Sequence, residues 1–297
     1  MNREEIFRKY FDKPLIPAPV RFETRWTRSF GLELFVLPLN KTSHPIGGNK
    51  WFKLKYNLAQ AISEDTRGLL TFGGGFSNHI SAVAKAARLL NLKSLGIIRG
   101  DELHEKSNPV LEEAGKNGME FKFIDRESYR NKNEKDFLVQ LKSSFPDFYL
   151  IPEGGSNEHG IKGAAEIADL IQIPYDYLAL AVGSGGTLAG LAGRMKPSQK
   201  VLGFPVMARS EYLEVEIEKM IPGKSAAYEL IHGYHFGRFG AGNRELEQFM
   251  KDLKLETGII TEHVYTGKLF YGLSDQIQKG RFVEGEKIVV IHTGSPE

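Results

Sequence analysis

Lys50 ends the run Gly47-Gly48-Asn49-Lys50 and opens Trp51-Phe52-Lys53-Leu54-Lys55-Tyr56-Asn57-Leu58, which reads as the first turns of a helix. Two glycines permit a tight turn and close approach to a flat ligand, and a helix start fixes where the amine points. An amine held this way suits nucleophilic attack on a carbonyl. Its commonest use is Schiff-base chemistry with pyridoxal phosphate, which supplies the electron sink that side chains lack. One lysine among 39 Lys and Arg residues is weak ground, and Lys53 and Lys55 on the same segment read as solvated surface charges. Lys50 is set apart because other loops provide the rest of what such a ligand needs.

The first of these, Thr71-Phe72-Gly73-Gly74-Gly75-Phe76-Ser77-Asn78-His79, passes from a strand through three glycines into a helix capped by Ser77 or Asn78. Unpaired N–H groups at such a start suit a substrate carboxylate or a phenolate oxygen. The second, Ala181-Val182-Gly183-Ser184-Gly185-Gly186-Thr187, is a phosphate cradle by the same logic, with Ser184 and Thr187 hydroxyls as added donors. It lacks both the P-loop ending and the G-x-G-x-x-G spacing, and no acidic residue follows the next strand to grip a ribose. A small phosphorylated cofactor is therefore favoured over a dinucleotide, with Arg209 keeping an NADP reading in play. The third, Glu262-His263-Val264-Tyr265-Thr266-Gly267-Lys268, offers Tyr265 as an acid or base and Thr266 as a neutral hydrogen-bond partner.

Short apolar, β-branched runs alternate with longer amphipathic ones, the pattern of parallel sheets covered by helices, so the fold class is α/β. Strands are expected at residues 32–37, 69–72, 94–98, 121–124, 148–151, 177–182, 201–204 and 287–291. Helices are expected at 77–90, 109–116, 159–171, 186–194, 244–253 and 268–279. A smaller α/β domain, 61–149, is expected to interrupt a larger cofactor-binding domain made of 1–60 and 150–297, with the ligand between them at the carboxyl ends of the strands.

With 297 residues and 39 basic against 37 acidic side chains, the net charge of +2 gives no broad attraction to nucleic acid or an anionic membrane. The absence of cysteine excludes disulfides, thiolate nucleophiles, Cys-ligated zinc and iron–sulfur clusters, and no metal site is expected. The charged start and the lack of a long apolar run read as a soluble, cytoplasmic protein.

Together, and in this order, these motifs resemble the 1-aminocyclopropane-1-carboxylate deaminase / D-cysteine desulfhydrase family of pyridoxal-phosphate enzymes, of the tryptophan synthase β-like fold (fold type II). The resemblance rests on Gly47 to Lys50 with Trp51, Lys53 and Leu54, on Gly-Gly-x-x-Ser-Asn-His ending at His79, and on Ile151-Pro152-Glu153-Gly154-Gly155-Ser156-Asn157. Gly183 to Thr187, Val264 to Lys268 and His292-Thr293-Gly294 extend it over most of the chain. It implies that Lys50 holds the cofactor and moves the α-proton, that Asn78 binds the phenolic oxygen, and that Gly183, Ser184, Gly185, Gly186 and Thr187 hold the phosphate. Ser77 and His79 would line the substrate carboxylate side, Tyr265 would face the substrate, and Thr266 would lie by the pyridine nitrogen. A homodimer is implied because relatives form one.

Three departures from the deaminase pattern point to β-elimination over ring opening. Thr266 stands where the deaminase has a carboxylate, Phe239 where it offers a second tyrosine, and Gly155 where it has a substrate-side cysteine. A neutral hydroxyl leaves a milder electron sink, sufficient when a β-substituent departs directly. The expected reaction converts a small D-amino acid such as D-cysteine through aminoacrylate to pyruvate, ammonia and sulfide. The alternatives are 1-aminocyclopropane-1-carboxylate deamination and a non-catalytic cofactor carrier. Retention of Ser77 and Tyr265 argues against the carrier, which needs only the lysine and the phosphate loop.

Overall fold

The computed structural model describes residues 2–12, 16–42, 44–223, 227–237 and 240–294. Its strands in chain order are β1 (Val20–Phe22), β2 (Glu33–Pro38), β3 (Gly68–Gly74), β4 (Lys93–Arg99), β5 (Met119–Ile124), β6 (Phe148–Ile151), β7 (Tyr177–Val182), β8 (Lys200–Pro205), β9 (Tyr228–Leu230) and β10 (Lys287–His292). They form a six-stranded sheet in the order β1-β2-β10-β7-β8-β9 and a four-stranded sheet in the order β5-β4-β3-β6. The smaller sheet is parallel throughout, and the larger is parallel except where β1 pairs antiparallel with β2. All strands of the smaller sheet lie in sequence between β2 and β7.

Each expected strand is present, and the central ones are continuous apolar runs because helices cover both faces. The two additions, β1 and β9, are three-residue strands at the edges of the larger sheet, too short to show a period of two. Among the described residues no helix is long and apolar enough to cross a membrane.

The helix Asn49–Ser63 buries Trp51, Phe52, Leu54, Leu58 and Ala61, whose spacing makes one apolar stripe. Trp51 Nε1 donates to Tyr10 O at 2.9 Å, pinning the first turn to the helix Arg3–Phe11. The same face also buries Lys53 and Asn57, and this overturns one expectation. Lys53 is only 1 % exposed. Lys55 is half-buried as well, its ammonium 2.8 Å from the Glu166 carboxylate. Helical spacing sets both lysines against the segment after β6, which the local sequence does not reveal.

The carboxyl ends of β3, β6, β7 and β10 all lead into the glycine-containing loops. Strand order thus gathers segments that are far apart in sequence, as expected where ligands bind to parallel α/β sheets.

Candidate active site

Gly48 turns the chain into the lysine helix with φ +66°. A side chain there would start 2.0 Å from Thr293 O, so only glycine fits. Gly48 N donates to Leu39 O and Asn49 N to Thr293 O, each at 3.1 Å, tying the turn to the ends of β2 and β10. Asn49 then bridges outward: its Nδ2 donates to Thr187 Oγ1 at 2.8 Å, while its Oδ1 accepts from Lys50 Nζ at 3.3 Å. Lys50 therefore stands beside the 183–187 loop, with crowded, poorly solvating surroundings that push its amine down to about 8.

Lys53 lies one turn along and points into the same space. Its Nζ donates to Ser156 Oγ at 2.9 Å, and Ser156 Oγ lies 2.7 Å from Ser184 Oγ. A methyl added at Gly186 would sit 2.6 Å from both Lys53 Nζ and Ser156 Oγ. The loop 183–187, Ser156 and Lys53 thus form one cradle. Burial first, and then repulsion by Lys50, hold the Lys53 amine well below its ordinary range. Cross-linked amides keep this lysine in place: Asn57 Nδ2 donates to Lys53 O at 2.8 Å, and Asn157 Nδ2 donates to Asn57 Oδ1 at 2.8 Å.

Ser77 is the N-cap of the helix Asn78–Leu89, although its hydroxyl makes no capping bond and stays available. Asn78 and His79 are the first helical residues, whose backbone N–H groups have no acceptor within the helix. His79 is buried. Thr71 Oγ1 spends its proton on Ile151 O at 2.8 Å, so it accepts from His79 Nε2 at 2.9 Å. Burial, followed by Lys50 and Lys53, holds the His79 pKa well below the ordinary value against a raising contact with the Pro152 backbone. Its own backbone N–H, in the first turn of the helix, is available to an anion. Gly155 adjoins both walls, with a methyl there 3.4 Å from His79 Cε1 and 3.5 Å from Lys53 Cβ.

On the opposite side the Tyr265 ring covers Gly183, its Cε1 3.4 Å from where a side chain on that glycine would begin. Burial, then Glu262 and Glu153, push the Tyr265 phenol up and keep its proton on. Thr266 opens the helix Thr266–Gln278 and is fully buried. The Glu262 carboxylate accepts from the backbone N–H of Tyr265 and Thr266 and from Thr266 Oγ1, the last at 3.1 Å. Thr266 is thereby committed to a carboxylate directly behind it. Lys268, also buried, donates to Val206 O at 3.1 Å and His235 O at 2.8 Å, fastening the segment before Gly237 to this helix. Phe239 lies outside the described residues.

The site thus brings Lys50, His79, Gly155, Tyr265 and the 183–187 loop to one place. Its residues fit a phosphorylated carbonyl cofactor. Among the described residues neither Lys50 nor Lys53 has a carboxylate partner, and two such amines in one buried space call for a dianion. Lys53, Ser156, Asn49 and Glu262 had no role in the residue-level reading. For Lys53 a signal existed, since it sits three positions after Lys50 on the same helix and so faces the same way. Ser156 had one in the motif after β6, whereas Glu262 emerges only from its side-chain contacts.

Comparison with known proteins bears on the fold and on the cofactor class. A putative 1-aminocyclopropane-1-carboxylate deaminase from Pyrococcus horikoshii is 32% identical over 94% of this chain and 90% of its own length. A bifunctional D-cysteine desulfhydrase/1-aminocyclopropane-1-carboxylate deaminase, mitochondrial, from Arabidopsis thaliana is 30% identical over 94% of this chain and 76% of its own. The crystal structure of an ACC deaminase homologue superposes with a TM-score of 0.78 at 31% identity, covering 97% of this chain and 94% of that one. A hydrogen sulfide-producing enzyme from Fusobacterium nucleatum shares the fold, with a TM-score of 0.71 at 18% identity. The model of the pyridoxal-phosphate dependent enzyme family matches residues 13–294, and the chain belongs to that family.

Proposed function

We propose that this enzyme catalyses β-elimination from a small D-amino acid carrying a leaving group on Cβ, with D-cysteine as the model substrate and pyruvate, ammonia and sulfide as products. The observation behind this reading is a pair of groups whose proton affinities are driven apart. Burial moves the Lys50 amine down to about 8, toward a base, and moves the Tyr265 phenol up, toward an acid that keeps its proton. When bound, pyridoxal phosphate supplies electron withdrawal at the substrate's α-carbon.

The chain's own residues do the rest. Lys53, Ser156, Ser184 and Thr187 would hold the phosphate, whose charge would offset the burial of the Lys53 amine. Ser77 and the N–H groups of Asn78 and His79 orient the substrate carboxylate. Lys50 Nζ would take the α-proton, and Tyr265 Oη would face the departing β-substituent. The buried walls formed by Thr266 and His79 exclude water from the reacting atoms.

A second reading, deamination of 1-aminocyclopropane-1-carboxylate, gains from one contact. Glu262 accepts the Thr266 hydroxyl proton at 3.1 Å, so a carboxylate stands one hydrogen bond behind the position where the sequence shows only threonine. Purified, cofactor-loaded protein given either compound separates the two. Pyruvate and sulfide from D-cysteine, without 2-oxobutanoate from the cyclopropane, support the elimination. The reverse pattern replaces it with the deaminase reading.

The Lys50 amine also sets a pH dependence. Only its neutral form condenses with a carbonyl, so the rate of covalent cofactor capture by the apoprotein should rise up to about pH 8 and level off above it. Folding holds this pKa below the unfolded value of 10.5. The folded chain therefore binds fewer protons in that interval, and Lys50's contribution makes the apoprotein more stable as pH rises from about 8 to 10.5. Stopped-flow absorbance between pH 6 and 10 measures the capture rate. A rate that keeps climbing tenfold per unit to pH 10 would mean that the amine is not depressed.

A further inference from the structure

Asn49 lies between the amine and the 183–187 loop, and the chemistry above gives its side chain no task. Its backbone is already fastened, since Asn49 N donates to Thr293 O at 3.1 Å where the helix Asn49–Ser63 begins. The side chain is therefore not needed to hold the turn. It reaches across 138 positions of sequence instead, with Nδ2 donating to Thr187 Oγ1 at 2.8 Å, while Oδ1 accepts from Lys50 Nζ at 3.3 Å. One amide thus joins the loop to the amine.

The two ends of this bridge are unequal. The Thr187 bond has an ordinary length and the Lys50 bond is long, so the amine is held loosely. Thr187 is only 7% exposed, and among the described residues its hydroxyl accepts the Asn49 bond and donates none. Its proton is left for an anion on the loop. A hydroxyl that donates to an oxyanion becomes a stronger acceptor, and the change passes through the amide: Nδ2 is gripped harder, and Oδ1 draws harder on a Lys50 N–H. Holding one N–H fixes rotation about Cε–Nζ, and with it the direction of the lone pair.

We propose that Asn49 is a positioning residue that couples the loop to the amine, so that an oxyanion bound at residues 183–187 aims Lys50 Nζ at the carbonyl it attacks. The inference rests on Lys50 as the condensing amine and on the loop as the phosphate holder. It goes beyond the elimination reading, because it does not depend on which amino acid is turned over. In the capture step the Lys50 nitrogen bonds to the aldehyde carbon, and the carbonyl oxygen leaves as water with both hydrogens of the neutral amine.

The test divides the cofactor into two pieces. Capture of pyridoxal, which has no phosphate, is followed by stopped-flow absorbance in the full-length apoprotein at about pH 9.5, above the range in which the amine gains its proton. Inorganic phosphate is added or replaced by sodium chloride of equal ionic strength. Calorimetry gives the phosphate concentration that fills the loop in each variant. Filling it should speed capture by the wild type about 3- to 10-fold, the worth of one well-oriented hydrogen bond. Negative charge alone favours the ammonium and slows capture, so acceleration reports orientation.

Asn49→Ala should still bind phosphate, through Lys53, Ser156 and Ser184, and should lose the acceleration. Thr187→Val should lose it too, Thr187→Ser should keep it, and the double variant Asn49→Ala/Thr187→Val should behave as either single one does. Borohydride trapping with mass measurement locates the captured aldehyde. Phosphate that does not bind the wild type, that binds without speeding capture, or that speeds Asn49→Ala equally would overturn the coupling. Label on a lysine other than Lys50 would overturn it together with the Lys50 assignment, whereas a pyruvate assay that fails with every amino acid sinks only the elimination reading.

Discussion

Replacing Lys50 by alanine is expected to remove both covalent cofactor attachment and turnover, lowering kcat/KM by about 10,000-fold or more, because one amine is nucleophile and base together. The fold should survive. Lys50 makes one 3.3 Å hydrogen bond, to its neighbour Asn49, and no ion pair among the described residues, so its loss leaves no buried charge stranded. Phosphate affinity should also persist, since Lys53, Ser156 and the 183–187 loop remain. The checks are borohydride trapping of the cofactor followed by mass measurement, and pyruvate formation. Lys50→Arg adds a control that keeps the charge and cannot condense. A Lys50→Ala protein that is still trapped and still active would move the chemistry to another lysine. Lys53 would be the first to examine.

Lys53→Met should have opposite effects on the empty and the loaded protein. In the apoprotein Lys53 is a buried amine held by one hydroxyl and repelled by Lys50, and an apolar side chain of similar length removes that cost. The apoprotein should gain about 1–3 kcal/mol, in the range found when buried ionic groups give way to packed apolar ones. The loaded protein loses a charge-assisted contact to the phosphate, so cofactor affinity should fall about 10- to 100-fold. Pyridoxal, which has no phosphate, should bind both proteins alike. Denaturant unfolding of the apoprotein and titration with the two aldehydes measure these effects. A less stable apoprotein with unchanged phosphate discrimination would make Lys53 a structural tether only.

Lys50 and Lys53 also show where sequence reading succeeds and where it stops. Lys50 could be singled out because the backbone at Gly48 needs a left-handed turn and a helix begins immediately afterwards, both local requirements written in adjacent residues. Lys53 was misread because its partner, Ser156, comes from a loop 103 residues away. His79 was legible as part of a glycine-rich helix start. Its neutrality was not, since that comes from burial and from Lys50 and Lys53 lying nearby. Thr266 looked like a free hydroxyl in sequence and is bound to Glu262 in the structure.

The sequence alone determined the alternation of strands and helices, the central strands with their apolar runs, and the motif set that places the chain in its family. These depend on periods and short spacings, and local sterics with burial enforce them whatever the rest of the chain does. Tertiary structure decided what the buried charges meet. Lys53 against Ser156 is set by strand order and helix packing, which bring residues distant in sequence within a few ångströms and remove the water that would have made the charge unimportant, while Glu262 folds back onto Thr266 from four residues before it.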